Sequence, residues 1–509
     1  MTKRAGGALL QSVRIDRSSC APLGHQLARA LRELMLGAVL RPGDRLPSSR
    51  TLARDLGVSR TTVVDVYEQL AAEGLIVARV GAGTLVSTAL RGHIAPSAPP
   101  APRPGPPPAR LARLAADASE QFFPRIGHPQ GSRAFTTGTP AYDAFPLPLW
   151  AQLSARALRG SRHELLRYPE AGGLPELREA IAGHLRMNRG VTCRAEEIFV
   201  VGGAQEAFNR IANLLIDPGD PVWFENPGHI GARNSFVAAG AALVPVPIDD
   251  QGLDVAAGLA AAPAFRLAFT TPAHQQPLGV TMTLERRLEL LAAAEAADAW
   301  LVEDDYDGDF WYAGHMPPTL RSIDVSGRVI YVGSFSKSLF PALRIGFILA
   351  PPGLAEVIGR VGRAVLQGPP TALQATLAAF IREGHFAAHI RRMRGIYAER
   401  HDALMEAASR HLAGRLALRP TRTGLQTVGI LPPGSDEARI AAAAAARGVT
   451  VAPVSRFCIA PIAARALSLG FSAVPPRELV AGVTALRDVL DTAAPATGRK
   501  AVSALTKLS

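Results

Sequence analysis

The sequence predicts an α/β protein in two parts, a small N-terminal winged helix-turn-helix and a large domain built on an open parallel sheet. Three observations carry this. Eight of the thirteen residues from Pro96 to Pro108 are proline, which no packed element tolerates, so the chain divides there. Ahead of that break, helical periodicity gives way to a hairpin pattern. Behind it, four apolar, β-prone runs each end in chemically active side chains. At 509 residues with 48% hydrophobic content, the chain exceeds one ordinary domain and can bury a large core. The expected boundaries are a head over residues 1–92, a linker over 93–133, an effector domain over 134–495 and a tail over 496–509.

Charge sharpens the division. The net charge is +12, of which residues 1–92 carry +6 and residues 93–133 carry +3, leaving +3 for the other 376 residues. A polyanion partner is expected at the front. Of the 55 basic residues only Lys3, Lys337, Lys500 and Lys507 are lysine, so Lys337 stands alone inside the folded body. Arginine does not replace lysine where a deprotonated amine is needed. Cys20, Cys193 and Cys458 are far apart and lack metal-ligand spacing, which argues against a disulfide framework or a zinc site. The N-terminus lacks a long apolar run before a cleavage site, and eighteen consecutive apolar residues occur nowhere. A cytoplasmic protein without a membrane partner is expected.

In the head, Leu23, Leu27, Leu31, Leu34 and Ala38 recur at helical spacing, and Pro42-Gly43-Asp44 breaks the pattern. A short helix with Leu52 and Leu56 follows. Gly57-Val58 turns the chain, and Ser59 is a good N-cap for a third helix running to about Glu73, with Val63, Val66, Tyr67 and Leu70 inward. LIVARVGAGTLVS then reads as two strands joined by Gly81-Ala82-Gly83-Thr84. In such a module the start of the second motif helix reaches base edges in the major groove of double-stranded DNA. Arg60 can form two bonds to guanine, Thr61 and Thr62 suit phosphate or thymine methyl contacts, and Arg50 and Arg79 suit phosphates.

In the large block, EIFVVGGAQEAF is strand, glycine turn and helix, so the backbone N–H groups of Gly203, Ala204 and Gln205 point at an anion. RLAFTTPAHQQPLG ends in His274 and Gln275, AWLVEDDYDGDF in Asp304 and Tyr306, and RVIYVGSFSK in Ser334, Ser336 and Lys337, with Arg344 seven residues on. Ligands in open parallel sheets sit beyond the carboxyl ends of strands. This set suits pyridoxal 5′-phosphate (PLP). Lys337 would form the imine with its aldehyde, Asp304 would pair with the pyridine nitrogen, and Tyr306 with His274 or Gln275 would reach the ring hydroxyl. Ser334, Ser336 and Arg344 would join the helix start around the phosphate.

The segment RLPSSRTLARDLGVSRTTVVDVYEQLAAEGLIVARVGAGTLV resembles the GntR family of bacterial regulators, although Leu23-Gly24 stands where that family has an aromatic residue. The block from about Phe135 to Leu490 is similar to the PLP-dependent fold-type I aminotransferases through RYPEAGGLPELREAIAGHL, ENPGH, TPAHQQPLGVTMTLERR, VEDDYDGDF and YVGSFSKSLFPALRIG. Together they resemble the MocR subfamily of regulators. That resemblance implies a homodimer in which Tyr168 contacts the partner subunit's cofactor phosphate. His229 replaces the tyrosine that the family places near the cofactor ring, and Gly231 replaces the arginine of GABA-responsive members. Arg456 and Arg465 are the candidates for an effector or substrate carboxylate. The expected function is a PLP-binding transcriptional regulator answering to PLP itself or to an amine or amino acid, with vitamin B6 or amine metabolism as target. The alternative is an active aminotransferase carrying a DNA-binding head.

Overall fold

The computed structural model describes residues 13, 15–19, 21–37, 39–79, 83–89, 122–123, 131–160, 165, 167, 170–312, 314, 316–365 and 368–493. The proline-rich segment, Gly81 and Ala82, Ala38, Cys20, Tyr168 and residues 496–509 lie outside these. The chain divides into two compact units, Met1–Leu111 and Ala112–Ser509.

The head contains helices α1 (Leu23–Leu36), α2 (Ser49–Leu56) and α3 (Arg60–Ala72), then strands β1 (Ile76–Arg79) and β2 (Gly83–Val86). Ser48 and Ser59 cap α2 and α3, each accepting from a backbone N–H three residues on, at 3.2 and 3.0 Å. Gly57 ends α2 at φ 64°, a left-handed conformation that glycine adopts without steric cost. Leu27, Leu31, Leu52, Val63, Val66, Leu70 and Ile76 form one core, and the Tyr67 hydroxyl donates to the Pro47 carbonyl at 2.9 Å. Each fully buried leucine there contributes about 2 kcal/mol. Gly83 pairs with Arg79 and Thr84 with Ala78, so both belong to the second strand instead of the turn the sequence suggested. The backbone beside Arg45 adds to the wing, bridging Leu85.

The large unit holds an eight-stranded sheet in the order β3 (Ile198–Val201), β10 (Gly346–Leu349), β9 (Val329–Ser334), β8 (Trp300–Asp305), β7 (Leu267–Thr270), β4 (Pro221–Asn226), β5 (Ala242–Asp249), β6 (Gly252–Leu253). Strands β4, β5, β7, β8 and β9 run parallel. The sheet is mixed, because β10 lies antiparallel to both β3 and β9. Apolar runs through β4, β7, β8 and β9 have no alternation because both faces are covered. On β8, Val302 joins the core with Phe208, Phe224 and Phe269, while its neighbour Leu301 joins the opposite core with Trp223 and Leu290. A second, antiparallel sheet follows in the order β11 (Ala417–Leu418), β12 (Gln426–Ile430), β14 (Ala466–Gly470), β13 (Ala452–Pro453), backed by helices His385–His411 and Pro476–Ala493. Among the described residues no helix is long and apolar enough to cross a membrane, and no group of three or more His, Cys, Asp or Glu could hold a metal ion.

Candidate functional site

At the carboxyl ends of the large-sheet strands lies a cleft of about 250 Å³. Strand β3 delivers Ala204 and Gln205, β4 His229, β7 Gln276, β8 Asp304, Tyr306 and Asp307, and β9 Ser334, Ser336 and Lys337. Arg344 precedes the reversed β10, and Thr137, Gly138, Leu425, Gln426 and Phe457 close the remaining sides. The four strand ends read from the sequence therefore meet at one place, with the solitary internal lysine among them.

The Lys337 Nζ donates to the Gly138 carbonyl at 2.6 Å. Burial lowers the Lys337 pKa below the ordinary amine value, against the opposing pull of Asp307 and Asp304. Gly138 has φ 65°, and a Cβ there would stand 2.7 Å from Nζ, so the close approach of backbone to amine requires glycine. Strand alternation sorts the acidic run. Glu303 turns away, accepting from the backbone N–H groups of Leu320 and Arg321, both at 2.9 Å. Asp305 also turns away, bonded by Arg189 and the Tyr331 hydroxyl. Asp304 faces the cleft, 2% exposed, with its Oδ1 lacking any hydrogen-bond partner. Desolvation, followed by the charges of Asp305, Asp307 and Glu225, holds its pKa well above the usual carboxylate range.

An anionic oxygen buried without a donor is costly, on the order of several kcal/mol. It fits a ligand that brings a cationic N–H, as the pyridinium of PLP does. Gly203, at φ 99°, begins the helix Ala204–Leu215, and a Cβ at Gly203 would lie 3.5 Å from Arg344 Nη1. That helix start, Arg344, Ser334 and Ser336 thus form a cradle for an anionic group. Arg344 itself sits in the left-handed region at φ 52°, a conformation costing ~1–2 kcal/mol for a side chain with a Cβ.

The partners expected for Tyr306 behave differently from one another. The Tyr306 hydroxyl lines the cleft and donates to the His274 carbonyl at 2.9 Å. His274 stays behind it, fully buried, with Nδ1 2.9 Å from Asp307 Oδ2. Gln275 is buried and does not line the cleft: its amide donates to Glu225 Oε2 and to the Pro227 carbonyl at 3.0 and 2.8 Å. Gln276, one residue further on, takes the cleft position and accepts from Gln426 Nε2 at 2.8 Å. The tight turn that follows β7 rotates the chain, so which of two adjacent glutamines points inward depends on the turn and not on composition. The other cleft residues absent from the sequence reading, Thr137, Gly138, Asp307, Leu425, Gln426 and Phe457, carry no local motif; only Asp307 stood within a recognised run.

His229 lines the cleft and caps the helix Ile230–Ala238, its Nδ1 accepting from the Ala232 N–H at 3.0 Å. That bond leaves the proton of a neutral ring on Nε2. The ring meets Phe208 edge to face at 5.7 Å. Arg456 and Arg465 are exposed and do not line the cleft. Arg465 borders a separate surface hollow with Asp436, Glu437 and Ser455.

In the head, Arg60 and Thr61 are exposed at the first turn of α3 and Thr62 is half-buried, its hydroxyl 2.8 Å from Ser59 Oγ. Arg50 is exposed on α2, and Arg79 is exposed where β1 meets Gly83. No acidic residue lies in the first turn of α2 or α3.

Comparison with known proteins identifies both domains. The aminotransferase class I and II family matches residues 134–478, and the bacterial regulatory proteins of the gntR family match residues 23–86. The probable rhizopine catabolism regulatory protein MocR of Rhizobium meliloti is 41% identical over 480 residues, covering 93% of this chain and 94% of that protein. The HTH-type pyridoxine biosynthesis transcriptional regulator PdxR of Corynebacterium glutamicum is 31% identical over 438 residues, covering 85% and 88%. Among solved structures, Pyrococcus horikoshii kynurenine aminotransferase, crystallised in complex with PMP and substrates, superposes with a TM-score of 0.67 at 25% identity, covering 76% of this chain and 96% of that one. A gntR-type head and an aminotransferase domain, each matched in its own right and matched together along nearly the whole chain, place this protein in the MocR subfamily of GntR-family transcriptional regulators.

Proposed function

We propose that the protein is a homodimeric, cytoplasmic transcriptional regulator whose large domain binds PLP and whose head reads double-stranded DNA according to the state of that domain. The observation that carries the cofactor reading is the buried, donor-less Oδ1 of Asp304 in the same cleft as the desolvated amine of Lys337. When bound, PLP supplies an electron sink for chemistry at an amine carbon. The chain's own residues do the rest. Lys337, its amine pKa lowered by burial, would be the nucleophile for covalent attachment. Asp304 would pair with the ring nitrogen, and Tyr306 with Gln276 would reach the ring hydroxyl. Gly203, Ala204, Gln205, Ser334, Ser336 and Arg344 hold the phosphate, with Tyr168 serving the partner subunit's site. His229 contributes its ring to the wall.

In the head, Arg60, Thr61 and Thr62 read base edges and Arg50 and Arg79 position the backbone, with Ser59 fixing the helix start. Two heads in a dimer suit a repeated site. The relatives named for pyridoxine biosynthesis and rhizopine catabolism support a small-molecule effector, PLP itself or an amine, and a metabolic target. Anisotropy titration of the full-length protein onto the DNA upstream of its own gene, with and without PLP, tests the whole reading. A PLP-dependent change in affinity is expected; affinity indifferent to PLP and to added amines would overturn it.

The second reading, an active aminotransferase, is favoured by one observation: Lys337, Asp304 and Arg344 all line one cleft. Steady turnover of an amino donor and a keto acid at ordinary enzyme rates, near 1 s⁻¹ or faster as an order of magnitude, would establish it.

A further inference from the structure

Residues 122–123, inside the stretch read from sequence as linker, are seated on the large domain. The Phe123 N–H donates to Asn234 Oδ1 at 3.2 Å, and Asn234 Nδ2 donates back to the Phe123 carbonyl at 2.9 Å. A side-chain amide thus satisfies both polar groups of one backbone residue, much as a neighbouring strand would. The Arg233 guanidinium lies over the Phe123 ring, 3.5 Å from its centroid. The ring also packs with Ile230, Ala452 and Phe457. Ile230 and Phe457 form part of the cleft wall, and Arg233 and Asn234 lie on the helix that His229 caps. One side chain therefore separates this segment from the ligand cavity.

Arg233 Nε and Nη1 are buried without a hydrogen-bond acceptor, and burial lowers its pKa to about 10. The face of the Phe123 ring is the partner the guanidinium has there. Seating Phe123 desolvates a cation and gains a ring contact. Because the ring packs on Ile230 and Phe457, which also line the cleft, a displacement of either wall residue reaches the Phe123 contact.

We propose that Phe123, seated on Arg233 and Asn234, is a ligand-gated latch: occupancy of the cleft by PLP braces the wall and seats the latch, and the seated latch alters the affinity of the protein for DNA. The proposal rests on the cofactor reading above and adds the route by which the cleft state leaves the large domain. Coupling here means that PLP and DNA alter each other's affinity through this contact.

The test uses full-length protein, cofactor-free and loaded with PLP, and follows amide hydrogen exchange of the peptide containing Phe123. Protection at Phe123 is expected to rise about tenfold or more on loading, as the donor to Asn234 closes. Phe123→Ala, and separately Asn234→Ser, are expected to keep the visible cofactor band while losing the PLP-dependence of DNA affinity. Neither residue touches the cofactor machinery, and the retained band shows that each variant is folded. Equal protection in cofactor-free and loaded protein, or full PLP-dependence in Phe123→Ala, would overturn the latch alone. Failure of the wild-type protein to bind PLP would instead overturn the cofactor reading on which the latch rests.

Discussion

The exposed face that we propose reads DNA and the cleft of the large domain use opposite physics. Arg50, Ser59, Arg60, Thr61 and Arg79 are all exposed, lie within thirty positions of one another, and belong to a unit whose core is separate from their chemistry. The cleft gathers residues from Thr137 to Phe457, and its central groups, Asp304, Tyr306 and Lys337, carry pKa values displaced by desolvation. A surface that meets a polyanion works through screened charges in water, where each contact adds a modest, separable increment. A cleft that holds a cofactor works by removing water, so each group depends on the others. Substitutions in the head should therefore act by degrees, and those in the cleft by presence or absence.

The largest expected effect is that of Lys337→Ala. The visible absorbance of the lysine-bound cofactor should vanish entirely while cofactor-free affinity for DNA is preserved; a wild-type spectrum in the variant would break the assignment. Next is Arg60→Ala, expected to weaken binding to the specific site about 10- to 100-fold, or ~1–3 kcal/mol, with the cofactor spectrum unchanged. Unchanged affinity would mean that α3 is not the reading helix. The smallest effect tests the cost of the orphan carboxylate. Because the folded-state pKa of Asp304 is raised, the folded protein holds a proton there that the unfolded chain releases from about pH 4 upward. Stability consequently falls as pH rises from that value through the folded pKa. Asp304→Asn should flatten this part of the pH profile and raise the midpoint of cofactor-free thermal unfolding at neutral pH by ~1–2 °C, while weakening PLP binding. A lower midpoint at neutral pH would show that the carboxylate is not the strained group described here.

Much of this was legible locally. The cap at Ser59, the stripe Val63, Val66, Tyr67 and Leu70, and the four strand ends need only short-range pattern, and the structure contains each of them. The cleft's far side was not legible. Gly138, Gln426 and Phe457 lie far from the lysine in sequence and have no signature, since their role comes from what packs against them. The reversal of β10 was hidden because Gly346–Leu349 reads as the same apolar, β-prone pattern whichever way it runs. Gln275 and Gln276 are chemically identical, and the turn alone buries the first and sets the second in the cleft.

From the sequence alone came the division of the chain, the basic front, the helix that Ser59 caps and the solitary lysine, because composition and periodicity act over a few residues and survive without neighbours. Only the tertiary structure decided which carboxylate of the run Glu303 to Asp307 is left without a donor, that Arg456 and Arg465 stay outside the cleft, and that Phe123 sits on its outer wall. Burial and partnership belong to pairs of surfaces brought together by folding. A residue's charge is written in its name, but its solvent is decided by everything packed around it.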